Sequence, residues 1–289
     1  MTSEIPSPSV APFRPGAALT FGWKRTWKNF WWLLLAAVII SAISSAVSSV
    51  ISLTVGNSTL NGPLQDAYLL FSFSDPSTYG EMIKPLVAVS GVPLAIAGIG
   101  GIVQFIVTSF FSLGVVRTSL AVTTGDRVEI SNLFSFHGFA RYLVSSVIVF
   151  ILASVAVLLP LVGGIAITIS SNNLVWASIG AVLAIIAGLL ISLLFCLFGY
   201  AILGEDAKGV SSLGQSWRLV KSHFWAVLGL QVLLSLIVIG VLATAVVGGA
   251  ITCGIGLIAT IPMALTLMLG IPALAYAYTY RVLSGQPVV

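Results

Sequence analysis

A chain of 289 residues that is 58% hydrophobic and only 7% charged cannot cover a water-facing surface, because soluble domains carry roughly a quarter charged residues. That excludes an ordinary soluble domain and points to a bilayer as the solvent, with the length taken up by spans and short connections. The net charge of +4 is read through where the basic residues fall, not as a sign of nucleic acid, which is not an expected partner.

Residues 1–15 are rich in Pro and Ser and have no basic segment leading into an apolar one; a disordered cytoplasmic tail is expected, not a signal peptide. Residues 16–29 then place Leu19, Trp23, Trp27 and Phe30/Trp31 at i, i+4 and i+7/8, one helical face, with Lys24, Arg25 and Lys28 elsewhere. Such a helix belongs in the membrane interface, rings in the acyl boundary and cations at the phosphates, and it meets the next segment at a sharp angle near Phe30.

Six apolar runs follow, each longer than the ~20 residues a membrane helix needs: about 30–55, 93–122, 142–170, 174–203, 224–250 and 255–280. Their continuous apolarity lacks the alternation of an outer-membrane barrel. Very short turns join runs three to four and five to six, so these pairs are expected to be antiparallel hairpins. Span one carries Ser41, Ser44, Ser45, Ser48, Ser49 and Ser52, and spans two and five carry Gln104 and Gln231. The serine stripe is either a helix-packing face or the lining of a path. The glutamines suit bonds across helix interfaces. Pro93, Gly98, Gly100 and Gly101, with Pro262, Gly270 and Pro272, mark kinks. Residues 56–93 form a long aromatic connection for which a short interfacial helix or a cap is expected; the Asn57-Ser58-Thr59 sequon at its start sits too near the membrane to be a good acceptor. Cys196 and Cys253 have no metal or redox spacing and are read as structural.

With six spans, both termini share a side, and that side holds eleven of the twelve basic residues; only Lys84 faces the other. The positive-inside rule makes it the cytoplasm. The tryptophans at 23, 27, 31, 32, 217 and 225 gather at the basic ends of spans one and five, as an interfacial belt does.

The sequence also repeats. Residues 16–31 align without gaps on 210–225, so that Leu19, Trp23, Lys24, Phe30 and Trp31 meet Leu213, Trp217, Arg218, Phe224 and Trp225. A looser third copy over 130–142 matches through Leu133 and Arg141. The expected architecture is all-α and membrane-integral: one six-span domain, 16–289, a six-helix transmembrane bundle built from three parallel repeats (about 16–126, 127–207 and 208–285), each a cytoplasmic amphipathic helix plus two spans. The basic helices 16–29, 130–141 and 210–223 are expected to bend into their spans at Phe30, Tyr142 and Phe224.

Within the spans there is no Asp, Glu, Lys, Arg or His apart from end residues such as Arg117, whereas proton-coupled transporters and intramembrane hydrolases need such groups. His137 and His223 lie in the basic segments without metal-site spacing. Asp126, Glu205 and Asp206 are compatible with the N-terminal ends of the amphipathic segments. No catalytic group, cofactor or metal is expected.

The unit Leu-x-x-x-Trp with Phe-Trp at the foot of a span, carried by Leu19, Trp23, Lys24, Phe30 and Trp31 and by Leu213, Trp217, Arg218, Phe224 and Trp225, resembles the bacterial glycerophosphoryl diester phosphodiesterase membrane-domain family and the YciC-like inner-membrane proteins. The closing Ala275-Tyr276-Ala277-Tyr278-Thr279-Tyr280-Arg281 is also similar. The resemblance implies a bacterial inner-membrane module without the catalytic barrel that some members carry. The expected function is therefore non-enzymatic: organising or supporting an envelope process through anionic lipids, a membrane-protein partner or a homo-oligomer, with Trp23, Lys24, Arg25, Trp27, Lys28, Arg141, Trp217, Arg218 and Lys221 at the interface. The alternative is a transporter or channel for an apolar or amphiphilic solute, with Ser41, Ser45, Ser48, Ser52, Gln104 and Gln231 along its path.

Overall fold

The computed structural model describes residues 13–55, 91–125, 130–171, 173, 175–204, 209–251 and 257–288. Among these, every regular element is helical: α1 Pro15–Lys28, α2 Phe30–Val55, α3 Gly91–Thr124, a 3-10 turn Ile130–Leu133, α4 Phe139–Ser171, α5 Val175–Leu194, α6 Phe198–Gly204, α7 Gly209–Ser222, α8 Phe224–Ile251 and α9 Leu257–Leu283. Six stretches are long and apolar enough to cross a membrane: Phe30–Val50, Ile99–Thr124, Phe139–Ser171, Val175–Gly204, Phe224–Gly248 and Thr260–Leu283. The described residues are all-helical, and the six spans make the chain a multi-pass membrane protein. Expectations for the N-terminal tail, the connection up to residue 90, the acidic loops at 126 and 205–206, the Asn57 sequon and Cys253 fall outside the described residues.

The two best-matched basic segments have the expected boundaries. α1 stops at Asn29, whose backbone leaves the helix (φ −108°, ψ 22°). The Asn29 amide N–H and side-chain Nδ2 both donate to the Arg25 carbonyl, at 3.1 and 3.0 Å. α7 stops at His223, whose N–H turns back to Val220 at 3.1 Å. Under the gap-free alignment, α1 falls on α7 end to end. Three buried positions coincide as well, Ala18, Gly22 and Thr26 in α1 with Ser212, Ser216 and Val220 in α7, while Leu213 is buried where its aligned Leu19 is half-buried.

The third segment departs from expectation. Residues 130–141 form no amphipathic α-helix; the 3-10 turn gives way to a loop with Gly138 at φ +74°, and α4 runs from Phe139 past Tyr142 without a break. The turn is docked tightly on α3. The Leu133 backbone lies so close to α3 that a Cβ on Gly114 would stand 2.8 Å from the Leu133 carbonyl oxygen. The fourth apolar run is also broken rather than continuous, at residues 195–197. Ser216 of α7 donates its hydroxyl to the Leu194 carbonyl at 2.8 Å, and the Phe198 N–H bonds to Phe195 instead, at 3.3 Å. A side chain inserted into the helical ladder is a recognised cause of a kink.

By internal contacts the chain divides into two compact units, one of residues 1–39, 111–142 and 193–289, the other of 40–110 and 143–192. In the second, α4 and α5 pack as an antiparallel hairpin at van der Waals limit: a Cβ on Gly180 would lie 2.6 Å from the Pro160 carbonyl oxygen and 2.9 Å from Gly164 Cα. Asn173 caps α5, its Oδ1 accepting from the Val175 N–H at 3.0 Å. Phe105 of α3 meets Phe150 of α4, ring centroids 5.4 Å apart.

In the first unit, α8 and α9 are antiparallel, Tyr276 donating its hydroxyl to Gln231 and Thr260 lying beside Gly248. α1 packs against both. Ala18 is buried with Leu230, Leu234, Leu267, Ile271 and Ala275, and a Cβ on Gly22 would lie 2.8 Å from the Ile271 carbonyl oxygen. Small residues every fourth position permit this approach, which dispersion then rewards; lipid tails are as apolar as Leu, so burial alone gives little drive. Gly22→Leu is expected to destabilise the protein by about 1–3 kcal/mol through overpacking. Gly16→Leu, where a Cβ meets nothing within 4 Å, is expected to be neutral, a contrast read by thermal denaturation in detergent.

Candidate lipid-facing site at the feet of the spans

Because α1 and α7 are docked through their small faces, their aromatic and basic residues are left outside. Trp23 and Trp217, aligned in the two segments, are each 43% exposed, and Trp31 and Trp225 are 77% and 80% exposed. Lys24, Lys28, Arg218 and Lys221 are exposed beside them. On α1 the rings form a ladder: Trp23 meets Trp27 edge-on at 6.0 Å, Trp27 stacks on Phe30 at 5.3 Å, and Phe30 meets Trp31 at 5.7 Å. Trp217 instead leans on Phe195, at 6.4 Å, in the interruption of the fourth span.

The basic residues are not equivalent. Arg25 is half-buried, its guanidinium over the Phe21 ring at 5.5 Å, while Phe21 in turn packs on Tyr278 at 5.1 Å. Arg141 is exposed near the start of α4, away from any amphipathic helix. Among the described residues no group of three His, Cys, Asp or Glu side chains gathers at metal-binding distance.

Arg117, read from sequence only as an end residue, has a definite task. Its Nη1 donates to the carbonyls of Asn132 at 3.0 Å and Ser135 at 2.9 Å, and its Nη2 to that of His137 at 2.5 Å. One guanidinium thus satisfies three loop carbonyls, using the fork of donors that Lys lacks. No sequence signal marks this, because the acceptors are backbone atoms.

The polar residues of the spans divide. Gln231 is engaged by Tyr276 across the α8–α9 interface. The Gln104 side-chain oxygen is buried with no hydrogen-bond partner among the described residues. Ser41 is half-buried, Ser45 and Ser48 are exposed, and the Ser52 side chain lies outside the described ones. A groove of about 340 Å³ does exist in the first unit, but none of these residues lines it: its walls come from Trp23 of α1, Ile237, Gly240 and Thr244 of α8, and Met263 and Leu267 of α9, among others.

Arg117→Lys is expected to free the 132–137 loop by about 1.5–3 kcal/mol, the usual worth of hydrogen bonds to a charged group. The check is faster amide hydrogen exchange over Phe134–Phe139, with α8 unchanged. Against known proteins, no family model, no curated protein and no solved structure matches this chain.

Proposed function

We propose that this protein is a non-enzymatic module of the bacterial inner membrane that engages anionic phospholipid headgroups through its basic, tryptophan-bearing feet. The single observation that carries the reading is the matched presentation on α1 and α7: each buries its small face against the bundle and leaves Trp and Lys or Arg outside at the same aligned positions. Tryptophan at a membrane–water boundary and cations at the phosphates are each favourable, and here they come as pairs on rigidly held helices.

In the same reading the chain is built from three parallel repeats, with both ends cytoplasmic, and it is the membrane module of the glycerophosphoryl diester phosphodiesterase membrane-domain and YciC-like group. Support for the repeat comes from where each foot docks. The first foot, α1, lies on α9 at Ile271, the third, α7, on the fourth span at Leu194, and Leu133 of the second on α3 at Gly114. Each site is about three helical turns from the basic end of a second span. Each foot therefore rests on the second span of the pair preceding its own in the repeat order, the first foot on that of the last pair. Support for the orientation is the excess of basic residues on one side.

Replacing Lys24, Lys28, Arg218 and Lys221 with Gln is expected to reduce the preference for phosphatidylglycerol over phosphatidylcholine by well over tenfold, since each basic group near an anionic surface contributes about 1 kcal/mol. Lipid retention by the purified protein, measured by native mass spectrometry, is the check, and an unchanged preference sinks the lipid reading. For orientation, cysteines at Gly125 and Gln286 are expected to be labelled from the cytoplasm, and cysteines at Ser74 and Asn172 from outside.

A further inference from the structure

We propose that the groove between α8 and α9 is a discrete site for one acyl chain of a phospholipid whose anionic headgroup rests on Lys24 and Lys28. The headgroup part rests on the lipid reading of the feet, while the chain part rests on the groove alone. The groove runs along Ile237 to Ala245, about 12 Å of helix axis at ~1.5 Å per residue, and is bounded across α9 by Thr260, Met263 and Leu267. Its volume of about 340 Å³ falls in the ~300–1,000 Å³ range of small-molecule sites, yet it lacks the convergent polar groups that position a polar ligand. The Thr244 hydroxyl is spent on the Gly240 carbonyl of its own helix at 2.8 Å, so that wall offers no hydrogen bond to an occupant. A flexible hydrocarbon is the chemistry that fits.

Two features suit the groove to an anionic lipid. Trp23 lines the groove, and the next residue, Lys24, is exposed, so the hydrocarbon site is contiguous in the chain with a cation. Gly240 supplies the space: an added Cβ there meets nothing within 4 Å, so the recess is open at that residue rather than filled by a neighbour. The aligned foot α7 has its tryptophan against Phe195, which makes the site particular to α1.

The open space at Gly240 gives a clean test, because a side chain placed there fills the groove without displacing backbone. Gly240→Phe and, from the rim, Thr244→Phe are compared with wild type and with Lys24→Gln/Lys28→Gln. Each is titrated in detergent with phosphatidylglycerol and phosphatidylcholine of identical chains and read by native mass spectrometry. Both filling variants are expected to keep the wild-type melting temperature and to bind one phospholipid fewer, of either headgroup, with at least tenfold weaker retention. The lysine variant keeps the lipid but loses the phosphatidylglycerol preference. A phosphatidylglycerol bearing a photoreactive diazirine in its chain is expected to label residues 237–245 in wild type and not in Gly240→Phe. Unchanged retention and labelling in both filling variants overturns the groove site and leaves the feet untouched. Weaker retention on filling, with headgroup preference unmoved by the lysine changes, overturns the assignment of the headgroup to Lys24 and Lys28 while keeping the chain site. A filling variant that converts a dimer to a monomer shows a second copy in the groove and overturns the proposal.

Discussion

The close approach of α1 to α9 is the interaction on which the first unit depends. A membrane helix gains little from hiding Leu against Leu, because lipid offers the same contact, so association rests on how near two backbones come. Ala18, Gly22 and Thr26 remove the side-chain bulk that would hold α1 away, and Gly270 does the same from α9, where a Cβ would stand 3.0 Å from the Thr26 side chain. Once that face is committed, helical geometry decides the rest. Trp27 cannot also face the bundle, and Lys24 and Lys28 are left outside. The same docking brings Trp23 over the α8–α9 surface and so makes a groove from what is otherwise an open pair of helices.

Hydrocarbon supplies no hydrogen-bond partner, and several span threonines find theirs within the protein, whereas the buried Gln104 oxygen has none among the described residues. Thr118, Thr123, Thr168, Thr266 and Thr279 each donate to a carbonyl three or four residues back on their own helix. Ser216 reaches a different helix, and the geometry of the fourth span changes in consequence. Arg117 is the largest case, a cation near a span end whose donors are directed to loop carbonyls.

Much of this was legible in the sequence, for a definable reason. Spans are recorded as long apolar runs, and the helix breaks at Asn29 and His223 are recorded by a switch from a mixed to a wholly apolar segment at Phe30 and Phe224. Three aligned positions of the first and last feet, 18, 22 and 26 with 212, 216 and 220, carry the same burial. The second foot was misread as a helix because its alignment rested on Leu133 and Arg141 alone, and because the docking that shapes it runs through backbone, from Gly114 to Leu133 and from Arg117 to three carbonyls. The interruption at residues 195–197 was hidden for a similar reason: a single hydroxyl from twenty-odd residues away causes it, and hydropathy does not register a hydroxyl. The serines of span one drew attention by their spacing, yet Ser45 and Ser48 are exposed and the groove lies elsewhere.

The central claim, that α1 is held on the sixth span by its small face and so presents Trp and Lys outward, is open to direct measurement. Phe21 lies against Tyr278, ring centroids 5.1 Å apart, although the two residues stand near opposite ends of the chain. A photoreactive benzoylphenylalanine at position 21, irradiated in native membranes, is predicted to crosslink within the same chain to the segment around Tyr278, joining N- and C-terminal fragments after cleavage between them. Adducts to lipid alone, with the two fragments separating on a gel, would contradict it and return α1 to the bilayer surface.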